Sequence, residues 1–168
     1  LKCMALELPY KNKDLSMVII LPEKIGSLPK LEKKLTVGHI QSFTKGMRLV
    51  EVAVQLPKFK CEKQFMLKDS LTALGMKDIF VERRADLSGM DGTRELAVSS
   101  AIHKAFIEVN EEGSEAAAAT AVVGGEPMSF HFRIPQQFAA CHPFLFFIKD
   151  NRSNGILFIG RVADPSET

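Results

Sequence analysis

An α+β fold, mostly β-sheet with a few short helices, is what this chain predicts, and three observations carry it. Val50, Val52, Val54 and Leu56 alternate with Glu51, Ala53 and Gln55, the period of a half-buried strand. Pro143 to Lys149 and Ile156 to Val162 are two apolar runs separated by Asp150-Asn151-Arg152-Ser153-Asn154-Gly155, a pattern that predicts a buried antiparallel hairpin. Leu67, Leu71 and Leu74 recur at helical spacing ahead of Gly75, so a helix is expected over 66–74 with the glycine ending it.

The remaining elements follow in chain order. Met4 to Leu8 and Ser16 to Leu21 flank the polar turn Lys11-Asn12-Lys13-Asp14 and read as a hairpin that Pro22 closes. Leu28, Leu31 and Leu35 form one face of a short helix whose wet face carries Lys30, Lys33 and Lys34, and residues 39–45 are expected to continue it. Pro57 ends the alternating strand at 50–56 or marks an edge. Residues 101–109 form the next strand, and His103 shares its odd-numbered face with Ala101, Ala105, Ile107 and Val109, which predicts a buried, hydrogen-bonded histidine. His39, His131 and His142 read as structural or surface residues, and Asp69, Asp86 and Asp91 as caps of turns and helix ends.

Composition excludes several function classes. With 168 residues and 46% apolar content the chain can build a core. A net charge of +2 argues against nucleic acid, although the lysine patch leaves a glycosaminoglycan or membrane surface as an alternative partner. No apolar run approaches the roughly 20 residues that cross a bilayer. Cys3, Cys61 and Cys141 are odd in number and far apart, so neither a disulfide framework nor a zinc site is indicated. The chain carries no signal peptide, yet it starts at Leu1, so its true beginning is expected to lie elsewhere. Asn151-Arg152-Ser153 matches the N-glycosylation acceptor and points weakly to secretion. There is no Gly-x-Ser-x-Gly elbow, phosphate-binding glycine loop or His-Glu-x-x-His signature, so no catalytic residue, cofactor or metal is expected.

One tract carries more information than any other. Glu111-Glu112-Gly113 opens a run, Ser114 to Val123, that holds one charge, Glu115, and few bulky side chains. Drawn out as a strand, it puts Ser114, Ala116, Ala118, Thr120 and Val122 on one uncharged face, with Glu115, Ala117, Ala119, Ala121 and Val123 on the other. The first face can enter a sheet over a core without burying an ion. Alanine also favours a helix. Gly113 before the tract and Gly124-Gly125-Glu126-Pro127 after it favour a loop.

This tract resembles the reactive-loop hinge of the serpins, a family of suicide protease inhibitors. Leu56-Pro57-Lys58-Phe59, Leu74-Gly75-Met76, Ala85-Asp86-Leu87-Ser88-Gly89, His103-Lys104-Ala105, the run from His142 to Ile148 and Gly160-Arg161-Val162-Ala163-Asp164-Pro165 are similar to serpin landmarks and stand in family order. A complete serpin is longer. The resemblance therefore implies that 1–168 is the C-terminal part of one serpin domain, with a reactive loop at about 111–135, a hairpin over 143–162 and a missing N-terminal part as its partner.

The resemblance also implies roles. Gly113 would be the pivot, and Ser114, Glu115, Ala116, Ala117, Ala118, Ala119 and Thr120 would lead the strand that enters the sheet. Glu111 would anchor the strand end with Lys58 as its partner, and His103 would sit where strands part to admit the loop. Counting as in most serpins puts the attacked residue at Pro127, whose locked ring suits few protease pockets. One residue on, Met128-Ser129 is the favoured reactive bond and implies an elastase- or chymotrypsin-like target. Phe130 or Phe132 would suit a chymotrypsin-like protease and Arg133 a trypsin-like one, each requiring a longer loop. The implied activity is serine protease inhibition by a secreted protein, with a cytoplasmic location as the alternative. A carrier, chaperone or storage serpin and a cysteine protease inhibitor are the competing readings.

Overall fold

A computed structural model describes residues 1–110 and 135–164. The chain divides into two compact units, Leu1–Phe59 with Val109–Thr168, and Lys60–Glu108.

The first unit is built on an antiparallel sheet in the order β1-β2-β7-β8, formed by β1 (Cys3–Pro9), β2 (Leu15–Pro22), β7 (Phe144–Asp150) and β8 (Ile156–Val162). Both expected hairpins are present. In the central pair, Ser16 to Pro22 of β2 and Phe144 to Lys149 of β7 are buried without alternation, because these strands have sheet neighbours on both sides and cover on both faces. On one face Val18, Ile20, Leu145 and Phe147 pack against Leu28 and Leu31 of α1 (Leu28–Lys34). Ile40, Phe43 and Met47, from α2 (Val37–Gly46) and its end, lie against the same cluster. On the other face the Phe59 ring packs against Phe144 at 5.8 Å and Phe146 at 5.3 Å. Gly160 lies opposite Phe146, and a Cβ there would stand 2.7 Å from the ring, so this register needs glycine.

The helices behave locally as their sequences demand. Lys30, Lys33 and Lys34 are exposed on α1, and the last two sit at its C-terminal end, where the helix dipole favours cations. The expected continuation over 39–45 is a separate helix. Thr36 starts it: the Thr36 hydroxyl accepts from the His39 backbone N–H, and His39 Nδ1 accepts from the Thr36 N–H, each at 3.3 Å. His39 is thereby a capping residue.

Two expectations fail in this unit. The strand expected over 50–56 is the shorter β3 (Val52–Gln55), paired in parallel with β6 (Gln136–Ala139), and its residues do not alternate in burial. A two-stranded sheet gives a strand one neighbour, and Val54 remains 39% exposed. The hairpin over 143–162 is only half buried: β7 is covered, while Ile156, Leu157, Phe158 and Ile159 of β8 are exposed, since nothing among the described residues packs over them.

Across the sheet, Lys149 Nζ lies 3.0 Å from Glu7 Oε1, with side chains only 11% and 24% exposed. Removing one partner leaves a largely buried charge uncompensated. Lys149→Ala is expected to lower stability by about 1–3 kcal/mol, read as a shift in the urea midpoint of the full-length protein. A shift no larger than that of Lys33→Ala would remove the pair from the account.

At the hairpin turns, Asn151 Nδ2 donates to the Lys13 carbonyl and to Ser16 Oγ, both at 2.8 Å, and its backbone N–H donates to the Asp14 carbonyl. The β1–β2 and β7–β8 turns are tied together by these three bonds.

The second unit holds most of β4 (Phe59–Met66) and β5 (Ile102–Val109), which pair as a two-stranded sheet. Between them come α3 (Lys68–Ala73), a 3-10 turn (Asp78–Phe80) and α4 (Ser88–Asp91). The helix expected over 66–74 is α3, and Gly75 follows with φ +104°, a left-handed conformation that glycine adopts without strain.

Candidate functional site

In the sequence, the residues singled out for function flank β4, lie on β5 or follow it. Cross-strand pairs brace the two strands. Lys60 Nζ lies 5.2 Å from the Phe106 ring centre, Lys104 Nζ lies 2.6 Å from Glu62 Oε1, and the Phe65 and His103 rings stack at 6.4 Å. Partners descend along β5 as they ascend along β4, so the strands run antiparallel. The other edge of β5 pairs with no strand among the described residues.

His103 departs from expectation. Ala105, Ile107 and Val109 are half-buried as the alternation requires, but His103 is exposed. It stands near the start of β5, where the Phe65 ring stacks on it and nothing among the described residues encloses it. Lys58 lies directly before β4 and interacts with its surroundings. Glu111, Gly113, Ser114 through Thr120, the Met128–Ser129 bond and the alternatives Phe130, Phe132 and Arg133 lie outside the described residues, as does His131.

Electrostatics around the strands are local. Glu62 is held below the usual carboxylate range by its hydrogen bond from Lys104 and by that ammonium's charge. A depressed carboxylate contributes stability that is present above its unfolded pKa and lost as pH falls through its folded one. Lys104→Gln is expected to return Glu62 toward the ordinary value, read by carboxyl NMR titration; an unchanged titration would separate the two groups. Asp86 is lowered chiefly by the Ser88 hydroxyl and backbone N–H, and Asp91 by those of Thr93, so both act as turn caps as expected.

The three cysteines are free: Cys3 and Cys61 are half-buried and Cys141 is exposed. Burial pushes the thiols of Cys3 and Cys61 up, away from nucleophilic thiolate. Among the described residues no three His, Cys, Asp or Glu side chains come together to hold a metal ion, and no helix is long and apolar enough to cross a membrane.

Sequence reasoning missed β4 and β6 and, with β4, the Glu62–Lys104 and Phe65–His103 braces. The alternation of Phe59, Cys61 and Phe65 was the available signal in β4, and Lys63 interrupts it.

A family model described as Serpin (serine protease inhibitor) matches residues 1–165. The chain belongs to the serpin family. It is 52% identical over 164 residues to Serpin B3 of Homo sapiens, covering 95% of this chain and 41% of that protein. It is 48% identical over 172 residues to the leukocyte elastase inhibitor of Homo sapiens, covering 98% of this chain and 44% of the relative. Among solved structures, uncleaved ovalbumin matches with a TM-score of 0.77 at 33% identity, covering 98% of this chain and 40% of that one. A tumour-suppressing serpin matches with a TM-score of 0.74 at 35% identity, covering 98% of this chain and 42% of that one. The chain thus spans less than half the length of these relatives, and it has the serpin α+β fold.

Proposed function

We propose that the full-length serpin inhibits serine proteases as a suicide substrate. The observation that carries this reading is the tract from Gly113 to Val123, whose one face bears only Ser114, Ala116, Ala118, Thr120 and Val122, in a chain of this family. A relative named for elastase inhibition supports it. In the proposed reaction the protease serine Oγ attacks the carbonyl carbon of Met128 and an acyl-enzyme ester forms. The Met128–Ser129 peptide bond breaks, and Ser129 leaves with a protonated amine. The segment from Gly113 onward then enters the sheet, with His103 and Lys58 near the point of entry, before water releases the ester.

The triplet at Asn151, whose side chain is committed to hydrogen bonds, adds nothing to the secretory expectation, and the cytoplasmic alternative stands beside it. Incubating the full-length protein with elastase-, chymotrypsin-, trypsin- and papain-like proteases tests the function. A detergent-stable complex that releases a peptide beginning at Ser129 is expected with an elastase- or chymotrypsin-like enzyme. A complex with another new N-terminus moves the bond. Cleavage without a complex or a gain in thermal stability overturns inhibition in favour of a carrier, chaperone or storage role.

A further inference from the structure

We infer that Asn151-Arg152-Ser153 is a sequon closed by the fold, and that the Asn151 carboxamide is a pin between two hairpin turns rather than a glycan acceptor. N-glycosylation replaces one hydrogen of Nδ2 with the anomeric carbon of a sugar. The new bond is Nδ2–C1, the broken one joins C1 to the phosphate oxygen of a polyprenyl-diphosphate oligosaccharide, and a proton leaves the nitrogen. Nδ2 has two hydrogens. One points to the Lys13 carbonyl and the other to Ser16 Oγ, both 2.8 Å away, so a carbon in either position would occupy the space of an acceptor atom. Ser16 cannot retreat, being 1% exposed within the central strand β2.

Three further observations agree. Asn151 Oδ1 is fully enclosed with no hydrogen-bond partner among the described residues, so the carboxamide is shut in on its carbonyl side as well. Turning the amide over would set Oδ1 against the Lys13 carbonyl and lose that hydrogen bond. The far end of the triplet is held in the same turn: Ser153 Oγ donates to Asp150 Oδ2 at 2.9 Å and accepts from the Gly155 N–H at 3.1 Å. A glycan can therefore be attached only before the two hairpins meet, and a chain so modified closes the β1-β2-β7-β8 sheet only by giving up both bonds.

The test expresses the full-length protein through a secretory pathway beside an Asp91→Asn variant, which turns residues 91–93 into an acceptor triplet in an exposed turn. Occupancy is read by glycosidase shift and mass analysis of the soluble, cooperatively melting fraction. Absence of a glycan at Asn151 with modification of the control position is expected, any glycan on Asn151 being confined to insoluble protein or to a fraction that melts at lower temperature. A soluble fraction modified at Asn151 and melting with the unmodified protein overturns the inference. A thermal cycle of Asn151→Ala, Ser16→Ala and the double variant decides the pin on its own, even where neither triplet is modified. The double variant is expected to melt close to Asn151→Ala, whereas additive shifts would refute the pin.

Discussion

Ala116→Arg in the full-length serpin is expected to abolish the detergent-stable protease complex while leaving the loop cleavable. Under the proposed mechanism, insertion of the loop as a strand carries Ser114, Ala116, Ala118, Thr120 and Val122 onto one face of the sheet, over the core. An unpaired guanidinium on that face costs several kcal/mol. Inhibition is a race between insertion and hydrolysis of the acyl-enzyme, and each ~1.4 kcal/mol added to the insertion barrier slows it about tenfold. Insertion is therefore expected to slow by about a hundredfold or more, so the protease hydrolyses the ester and departs. Ala117→Arg is the control: it lies on the face shared with Glu115 and is expected to keep the complex. The measurement is the number of inhibitor molecules consumed per protease inactivated, together with a denaturing gel. An Ala116→Arg protein as inhibitory as the parent would refute the assignment of that face.

Phe147→Ala is expected to destabilise the full-length protein by about 3–5 kcal/mol. The ring is 2% exposed and packed with Val18, Ile20, Leu28, Leu31 and Leu145, where the central strands meet α1. Truncation removes its transfer free energy and leaves a cavity that a sheet hydrogen-bonded on both sides of β7 cannot collapse to fill. Urea unfolding with unchanged slope and a lowered midpoint is the expected readout. Lys30→Ala, on the wet face of α1, is expected to stay within about 0.5 kcal/mol. Equal effects from the two variants would mean that this cluster is not the core.

The elements legible in the sequence are those whose signal is local. The β1–β2 hairpin, α1, α3 and β5 carry their own periodicity and punctuation, and each lies within a few residues of its expected bounds. β4 and β6 were not legible. Lys63 interrupts the alternation of Phe59, Cys61 and Phe65 in β4, and β6 is four residues beginning with two glutamines; both are strands because a partner lies beside them. His103 shows the same limit. Alternation correctly set the side of the strand for Ala105, Ile107 and Val109, yet whether that side is covered at residue 103 depends on residues far away in the chain. Of the candidate site, the hinge and reactive bond rest on sequence alone, while the Glu62–Lys104 and Phe65–His103 braces emerged only when β4 and β5 were set side by side.

By itself the sequence determined the family, through landmarks in order from Leu56 to Pro165, and the chemical character of the tract after Gly113. It also determined where β2 and β7 run, because strands buried on both faces must be apolar throughout. Only the tertiary structure decided which apolar strand the described residues cover. Phe147 and Ile159 are cross-strand partners in similar apolar runs, but one ring is buried and the other side chain is 61% exposed. It likewise decided that Asn151 is a pin. An acceptor triplet is three residues of sequence, whereas access to its nitrogen depends on Lys13 and Ser16, which stand far away in the chain and 2.8 Å away in space.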